Sequence, residues 1–86
     1  MSPTVDIEQF RADLYAVLAE VAELPAERIR GSLRLNEDLQ LDSLKRIEVV
    51  SYISDKYEFE PDVDTLMELR TVDDVISLME TYLRGP

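Results

Sequence analysis

Eighty-six residues are enough for one domain built around a single small core. Nineteen acids against nine bases leave a net charge of −10, which excludes nucleic acid and anionic membrane surfaces as partners, since both require a positive face, and favours partners with basic surfaces. With neither cysteine nor histidine, the chain has no route to disulfides, Cys-His or Ser-His-Asp catalysis, or the usual zinc sites, so no catalytic residue and no metal ligand set is expected.

No apolar run approaches the length of a membrane span, and the first residues, Met1 to Asp6, lack the charged-then-apolar order of a secretory signal. A cytoplasmic monomer is expected. From Ile7 the apolar residues Ile7, Phe10, Leu14, Val17, Leu18 and Val21 recur on one helical face, which predicts a first helix capped by Thr4 or Asp6 and ended by Leu24-Pro25. Pro25 to Asp42 carries Gly31, Ser32 and Asn36 with mixed charge and no sustained period. It reads as a long loop with a short helical turn near Ala26 to Ile29, and loops of that length in small domains usually have a function.

Ser43 to Tyr57 is the second predicted helix. Val49, Val50, Ile53 and Tyr57 share its core face with Ile47 at the margin, and Leu44, Glu48, Ser51 and Asp55 form a stripe on the other side. Tyr52 projects away from the core face. Phe59-Glu60-Pro61-Asp62 breaks the pattern, so Val63 to Glu68 forms a short third helix with Leu66 and Leu69 as inward anchors. Thr71-Val72-Asp73-Asp74 has the Ser/Thr-x-x-acid form of a helix start. The fourth helix then turns Val72, Val75, Ile76, Met79, Tyr82 and Leu83 to one side and ends at Gly85-Pro86. The predicted architecture is all-α: a small four-helix bundle of three long helices and a short third, occupying residues 1–86 as a single domain. Self-repulsion at this net charge predicts that added salt or a divalent cation raises the melting temperature.

Ser43 holds the most informative position, because a polar loop ends and a periodic helix begins there. The unpaired backbone N–H groups and positive dipole end of a helix N-terminus favour an anion attached to such a hydroxyl. Asp42-Ser43-Leu44, set between a long loop and a second helix in an acidic chain of this length, resembles the acyl carrier protein family over nearly all of the chain. The stretch Leu41-Asp42-Ser43-Leu44-Lys45-Arg46-Ile47-Glu48-Val49 is more similar still to the carrier domains of polyketide and polyunsaturated-fatty-acid synthases.

That resemblance implies a non-catalytic carrier whose Ser43 bears covalent 4′-phosphopantetheine, donated from coenzyme A by a separate phosphopantetheinyl transferase. Acyl intermediates would be held on the arm as thioesters and delivered to acyl-loading, condensing or tailoring enzymes with basic docking surfaces, in a polyketide or fatty-acid type pathway. By the same resemblance Asp42 presents the helix start to the transferase or caps it, and Leu44 and Glu48 dock on partners, with Ser51 further along their stripe. Helix two departs from the strongly acidic pattern of primary fatty-acid carriers, because Lys45, Arg46 and Lys56 balance Glu48, Asp55 and Glu58. Lys45 and Arg46 therefore join the candidate contact residues, and Asp55, Glu58, Asp62, Asp64 and Glu68 become candidates for an acidic patch. Val50, Ile53, Leu66 and Leu69 are read either as a groove for the acyl chain or as plain core. Two alternatives stand beside this reading: a peptidyl or aminoacyl carrier, and an acidic helical interaction module without a covalent cofactor, in which Ser43 is an ordinary N-cap.

Overall fold

The computed structural model describes residues 6–84, the side chains of Val63, Leu83 and Arg84 excepted. The first helix, α1, runs Ile7–Ala22, and Asp6 starts it by accepting a hydrogen bond from the Glu8 backbone N–H at 3.0 Å. Thr4, the other predicted cap, lies outside the described residues. The apolar face of α1 buries Phe10, Leu14, Val17 and Leu18, with Ile7 and Val21 packed against them. Proline disfavours helical geometry at Leu24, so the helix reverses just before it: Glu23 takes the left-handed region at φ 57°, and the Leu24 N–H reaches back to the Ala19 carbonyl at 2.9 Å.

The long loop contains the predicted turn, a 3₁₀ turn at Ala26–Arg28, yet it contributes more to the core than its lack of period implies. Ile29, Leu35, Leu39 and Leu41 are all buried. Their backbone is tied to the start of the last helix: the Leu35 N–H donates to the Arg70 carbonyl at 2.7 Å and the Val72 N–H to the Leu33 carbonyl at 3.0 Å, around an isolated antiparallel bridge between Arg34 and Thr71. A buried loop must satisfy its own polar groups, and this one does so against another loop.

The second helix, α2, spans Ser43–Tyr57 as predicted, with Val49 and Ile53 buried and Val50 and Tyr57 partly so. Ile47 departs from expectation. It is 56% exposed, because it lies too far round the helix from the Val49–Ile53 line to meet the core. Phe10 of α1 meets the Tyr57 ring edge-on at 5.3 Å between centroids. Beside that contact the Tyr57 hydroxyl donates to the Asp13 carboxylate, Lys56 Nζ approaches the same group at 3.0 Å, and Gln9 Nε2 donates to it at 3.1 Å. The Tyr57 hydrogen bond, followed by Lys56, holds the Asp13 carboxyl below the usual aspartate range, while burial and then the Asp13 contact push the Tyr57 phenol upward.

Two further helices complete the bundle: α3, Val63–Glu68, and α4, Val72–Arg84. Among the described residues there is no strand. The predicted start of α4 is a reciprocal cap. Thr71 Oγ1 accepts from the Asp74 N–H at 3.2 Å, and Asp74 Oδ2 accepts from the N–H groups of Thr71 at 3.0 Å and Arg70 at 2.9 Å. Those two backbone bonds lower the Asp74 pKa. Val72, Ile76 and Met79 are buried and Val75 partly so, but Tyr82, expected inward, is 51% exposed. Phe59 already fills the core at that level, so the Tyr82 ring packs edge-on against it at 4.7 Å and its hydroxyl donates to the Glu58 carbonyl at 3.3 Å. The expected Leu83 contact and the Gly85-Pro86 terminus lie outside the described side chains and residues. Among the described residues, no helix is long and apolar enough to cross a membrane.

Candidate functional site

The end of the long loop places Ser43. Leu39 and Leu41 are both buried, and the residue between them, Gln40, takes a left-handed conformation at φ 54° that allows its neighbours to point inward while it stays exposed. The Leu41 N–H then closes on the Leu35 carbonyl at 2.9 Å, which anchors the chain immediately before the helix. Asp42, extended at φ −78° and ψ −178°, is the N-cap of α2: its Oδ1 accepts from the Lys45 N–H at 2.9 Å.

Ser43 is therefore the first helical residue and not the cap. That removes the role the cofactor-free interaction module assigned to it. The residue is exposed, the first-turn N–H groups of Ser43 and Leu44 have no helical acceptor, and α2 directs the positive end of its dipole toward the hydroxyl. A cleft of about 470 Å³ opens beside it, lined by Asn36, Gln40, Leu41, Asp42, Ser43, Arg46 and Met67. A phosphate ester on Ser43 fits this environment: one anion, at a helix N-terminus, with a guanidinium in the cleft wall. Among the described residues, no group of His, Cys, Asp or Glu side chains is arranged to hold a metal ion.

The predicted stripe of Leu44, Glu48, Ser51 and Asp55 is exposed along its whole length, with Leu44 at 66%. Asp62, Asp64 and Glu68 are likewise exposed, at and along α3. Sequence reasoning missed two residues near the serine. Ile47, three residues beyond Leu44, and Met67, 62% exposed on α3, add apolar surface on either side of Ser43. The signal for Ile47 lay in its helical angle, which the marginal core assignment overrode; the α3 sequence carries no comparable signal for Met67.

Lys45 is half-buried at the first turn, and Arg46 does not behave as a surface cation. Its Nη1 donates to the Leu66 carbonyl of α3 at 2.9 Å and its Nη2 to Asn36 Oδ1 of the loop at 3.1 Å, so the guanidinium ties three segments together. Val50, Ile53, Leu66 and Leu69 do come together, around a small apolar cavity of about 40 Å³ between α2, α3 and α4 that is also lined by Leu18, Phe59, Val75 and Leu78.

A family model described as a phosphopantetheine attachment site matches residues 12–79. An acyl carrier protein of Thermobifida fusca is 33% identical over 67 residues, covering 78% of this chain and 85% of that protein. Acyl carrier protein 3 of Ralstonia nicotianae is 32% identical over 82 residues, 95% of this chain and 88% of its own length. One component of the polyunsaturated fatty acid synthase of Thraustochytrium sp. is 30% identical over 80 residues, which is 92% of this chain but 3% of that much longer protein.

Proposed function

The chain belongs to the acyl carrier protein family, which carries 4′-phosphopantetheine covalently and has no catalytic activity of its own, and on that premise we propose that Ser43 bears the arm. The observation that carries this reading is the division of labour at the start of α2, where Asp42 performs the capping and leaves an exposed hydroxyl at the first helical position, beside an open cleft. When bound, the arm supplies a thiol that holds an acyl group as a reactive thioester.

The protein's own residues present and orient that attachment point. The buried Leu39 and Leu41 fix the loop, Asp42 fixes the helix start, and the α2 dipole stabilises the phosphodiester. Residues 1–86 act as a single acyl-carrier domain in this proposal. Its modification requires transfer of the phosphopantetheinyl group from coenzyme A: the Ser43 Oγ–P bond forms as the pyrophosphate P–O bond breaks and adenosine 3′,5′-bisphosphate leaves, and a phosphopantetheinyl transferase supplies the base that takes the hydroxyl proton and the Mg²⁺. Acyl-loading, condensing or tailoring enzymes of a polyketide or fatty-acid type pathway then dock through basic surfaces. They meet the apolar rim of Leu44, Ile47 and Met67 and the acidic groups Glu48, Asp55, Asp62, Asp64 and Glu68. A central apolar contact ringed by charge is the arrangement that gives such encounters both energy and orientation.

The test is incubation with coenzyme A, Mg²⁺ and a broad-specificity phosphopantetheinyl transferase, followed by intact mass measurement. One added phosphopantetheinyl group is expected for the native chain and none for Ser43→Ala. Modification that persists in Ser43→Ala, or its absence from the native chain, refutes the assignment.

A further inference from the structure

The apolar cavity and the cleft beside Ser43 are neighbours separated by a thin wall. Leu41 and Arg46 are the two residues that line both. Leu41 is 2% exposed and its backbone N–H is bonded to the Leu35 carbonyl, whereas Arg46 is half-buried, its backbone fixed in α2 and its guanidinium held by two hydrogen bonds of its own. Its position on α2, three residues before Val49 and seven before Ile53, places its stem on the inward face and its guanidinium at the cavity's edge.

The element it holds is weakly secured. α3 has six residues, its N-cap Asp62 makes no side-chain capping bond, and Leu66 and Leu69 are only partly buried. The bond from Arg46 Nη1 to the Leu66 carbonyl, which also accepts from the Leu69 N–H at 3.3 Å, ties the end of that short helix down on α2. The Nη2 bond to Asn36 fixes the guanidinium from the loop side, so the planar fork cannot swing without losing both contacts. At about 40 Å³ the cavity has room for a few waters, at the ~10–15 Å³ that each requires, and not for an alkyl chain of several methylenes. Such a chain needs further space, which an outward movement of the short α3 supplies.

We propose that Arg46 sets where the cargo resides: by locking α3 over the apolar cavity it keeps the acyl group of this carrier outside the protein, and releasing the lock converts the chain into one that shelters an alkyl cargo. The inference rests on Ser43 bearing the arm. The discriminating substitution is Arg46→Met, which retains an apolar stem of similar length and removes both donors. Loss of the two bonds frees α3 while leaving the cavity wall apolar, and a buried alkyl chain then stabilises the fold in proportion to its length.

The measurement is the melting temperature of the full chain, with the arm attached and verified by mass, carrying either an acetyl or an octanoyl group. The native protein is expected to melt at the same temperature with both. Arg46→Met is expected to melt higher with octanoyl, on the order of 3 °C for each methylene sheltered. A native protein that gains as much from octanoyl as the variant, or a variant that gains nothing, overturns the proposal while leaving the Ser43 assignment intact. Failure of the native chain to take the arm overturns both. Should Arg46→Met lose its helical circular dichroism, Arg46→Lys, which keeps one donor, is measured in its place; it is expected to show a smaller gain of the same sign, and no gain refutes the proposal.

Discussion

Asp42 does two separable things, and substitution divides them. Its Oδ1 caps α2 through the Lys45 N–H at 2.9 Å, while the residue is exposed and its second carboxylate oxygen is available to a partner's basic group. Asp42→Ala removes both roles; Asp42→Asn keeps a capping oxygen and removes the charge. Loss of the cap costs about 1 kcal/mol, and in a domain of this size each kcal/mol moves the melting temperature by roughly 4–8 °C. Asp42→Ala should therefore melt about 4–8 °C lower, Asp42→Asn should lose less than half of that, and Ser43→Ala should stay near the native value because that hydroxyl is not the cap. A hydrogen bond to a charged group contributes about 1.5–3 kcal/mol. If the transferase reads the carboxylate, both Asp42 variants should be modified roughly 10- to 150-fold more slowly in kcat/KM, although only one of them is destabilised. Thermal melts by circular dichroism and timed mass measurement of arm transfer read the two quantities independently. An Asp42→Asn protein modified at the native rate would show that the carboxylate serves only the helix, and one that melts as low as Asp42→Ala would show that the cap is not what fixes the helix start.

Leu44→Ala should change stability by less than about 0.5 kcal/mol, since a side chain 66% exposed leaves no cavity, yet it should slow turnover by partner enzymes; marked unfolding in that variant would place Leu44 in the core. The Asp13 carboxyl titrates below its ordinary value of about 3.9, so its contribution to stability is complete above that pH and is lost as pH falls through the lower folded value. Urea titrations at pH 7 and pH 3 should show a smaller acid loss for Asp13→Asn than for the native chain, and equal losses would remove Asp13 from the acid transition. Glu58 ends α2 at φ 53° and sets a negative charge at the negative end of the helix dipole, so Glu58→Gly should raise stability by about 0.5–1 kcal/mol, and a drop in melting temperature would refute that.

Four helices and the bounds of α2 were legible because Phe10, Leu14, Val17, Leu18, Val49, Ile53, Val72, Ile76 and Met79 repeat at helical spacing, and because Pro25, Pro61 and the Thr71–Asp74 box punctuate them. The loop was legible only in outline. Ile29, Leu35, Leu39 and Leu41 are buried through backbone pairing with Arg70 and Val72, which has no period, and through the left-handed turn at Gln40, which no glycine marks. Tyr82 failed for a different reason: its helical angle is inward, but Phe59 occupies the space first, which is a fact of packing and not of pattern. At the site, the importance of Ser43 was visible from the helix start, whereas the identity of the cap required coordinates, because both Asp42 and Ser43 are good capping residues and one register step separates them.

Arg46 shows why charge reads poorly as exposure. Its place on α2 repeats the spacing of Val49 and Ile53, so periodicity alone assigns it inward, and only its chemistry argued for the surface. The two signals are compatible in a long side chain whose stem packs on apolar neighbours while its planar head finds two acceptors at the margin. The consequence reaches the docking surface. With Arg46 engaged by α3 and the loop, the exposed polar part of the α2 stripe is Glu48, Ser51 and Asp55, and the acids Asp62, Asp64 and Glu68 continue from the α3 side. Arg46, bonded to two neutral acceptors, keeps its charge in the Ser43 cleft, and the contribution of the surrounding acids to partner association should weaken with ionic strength, screened over about one Debye length of 8–10 Å.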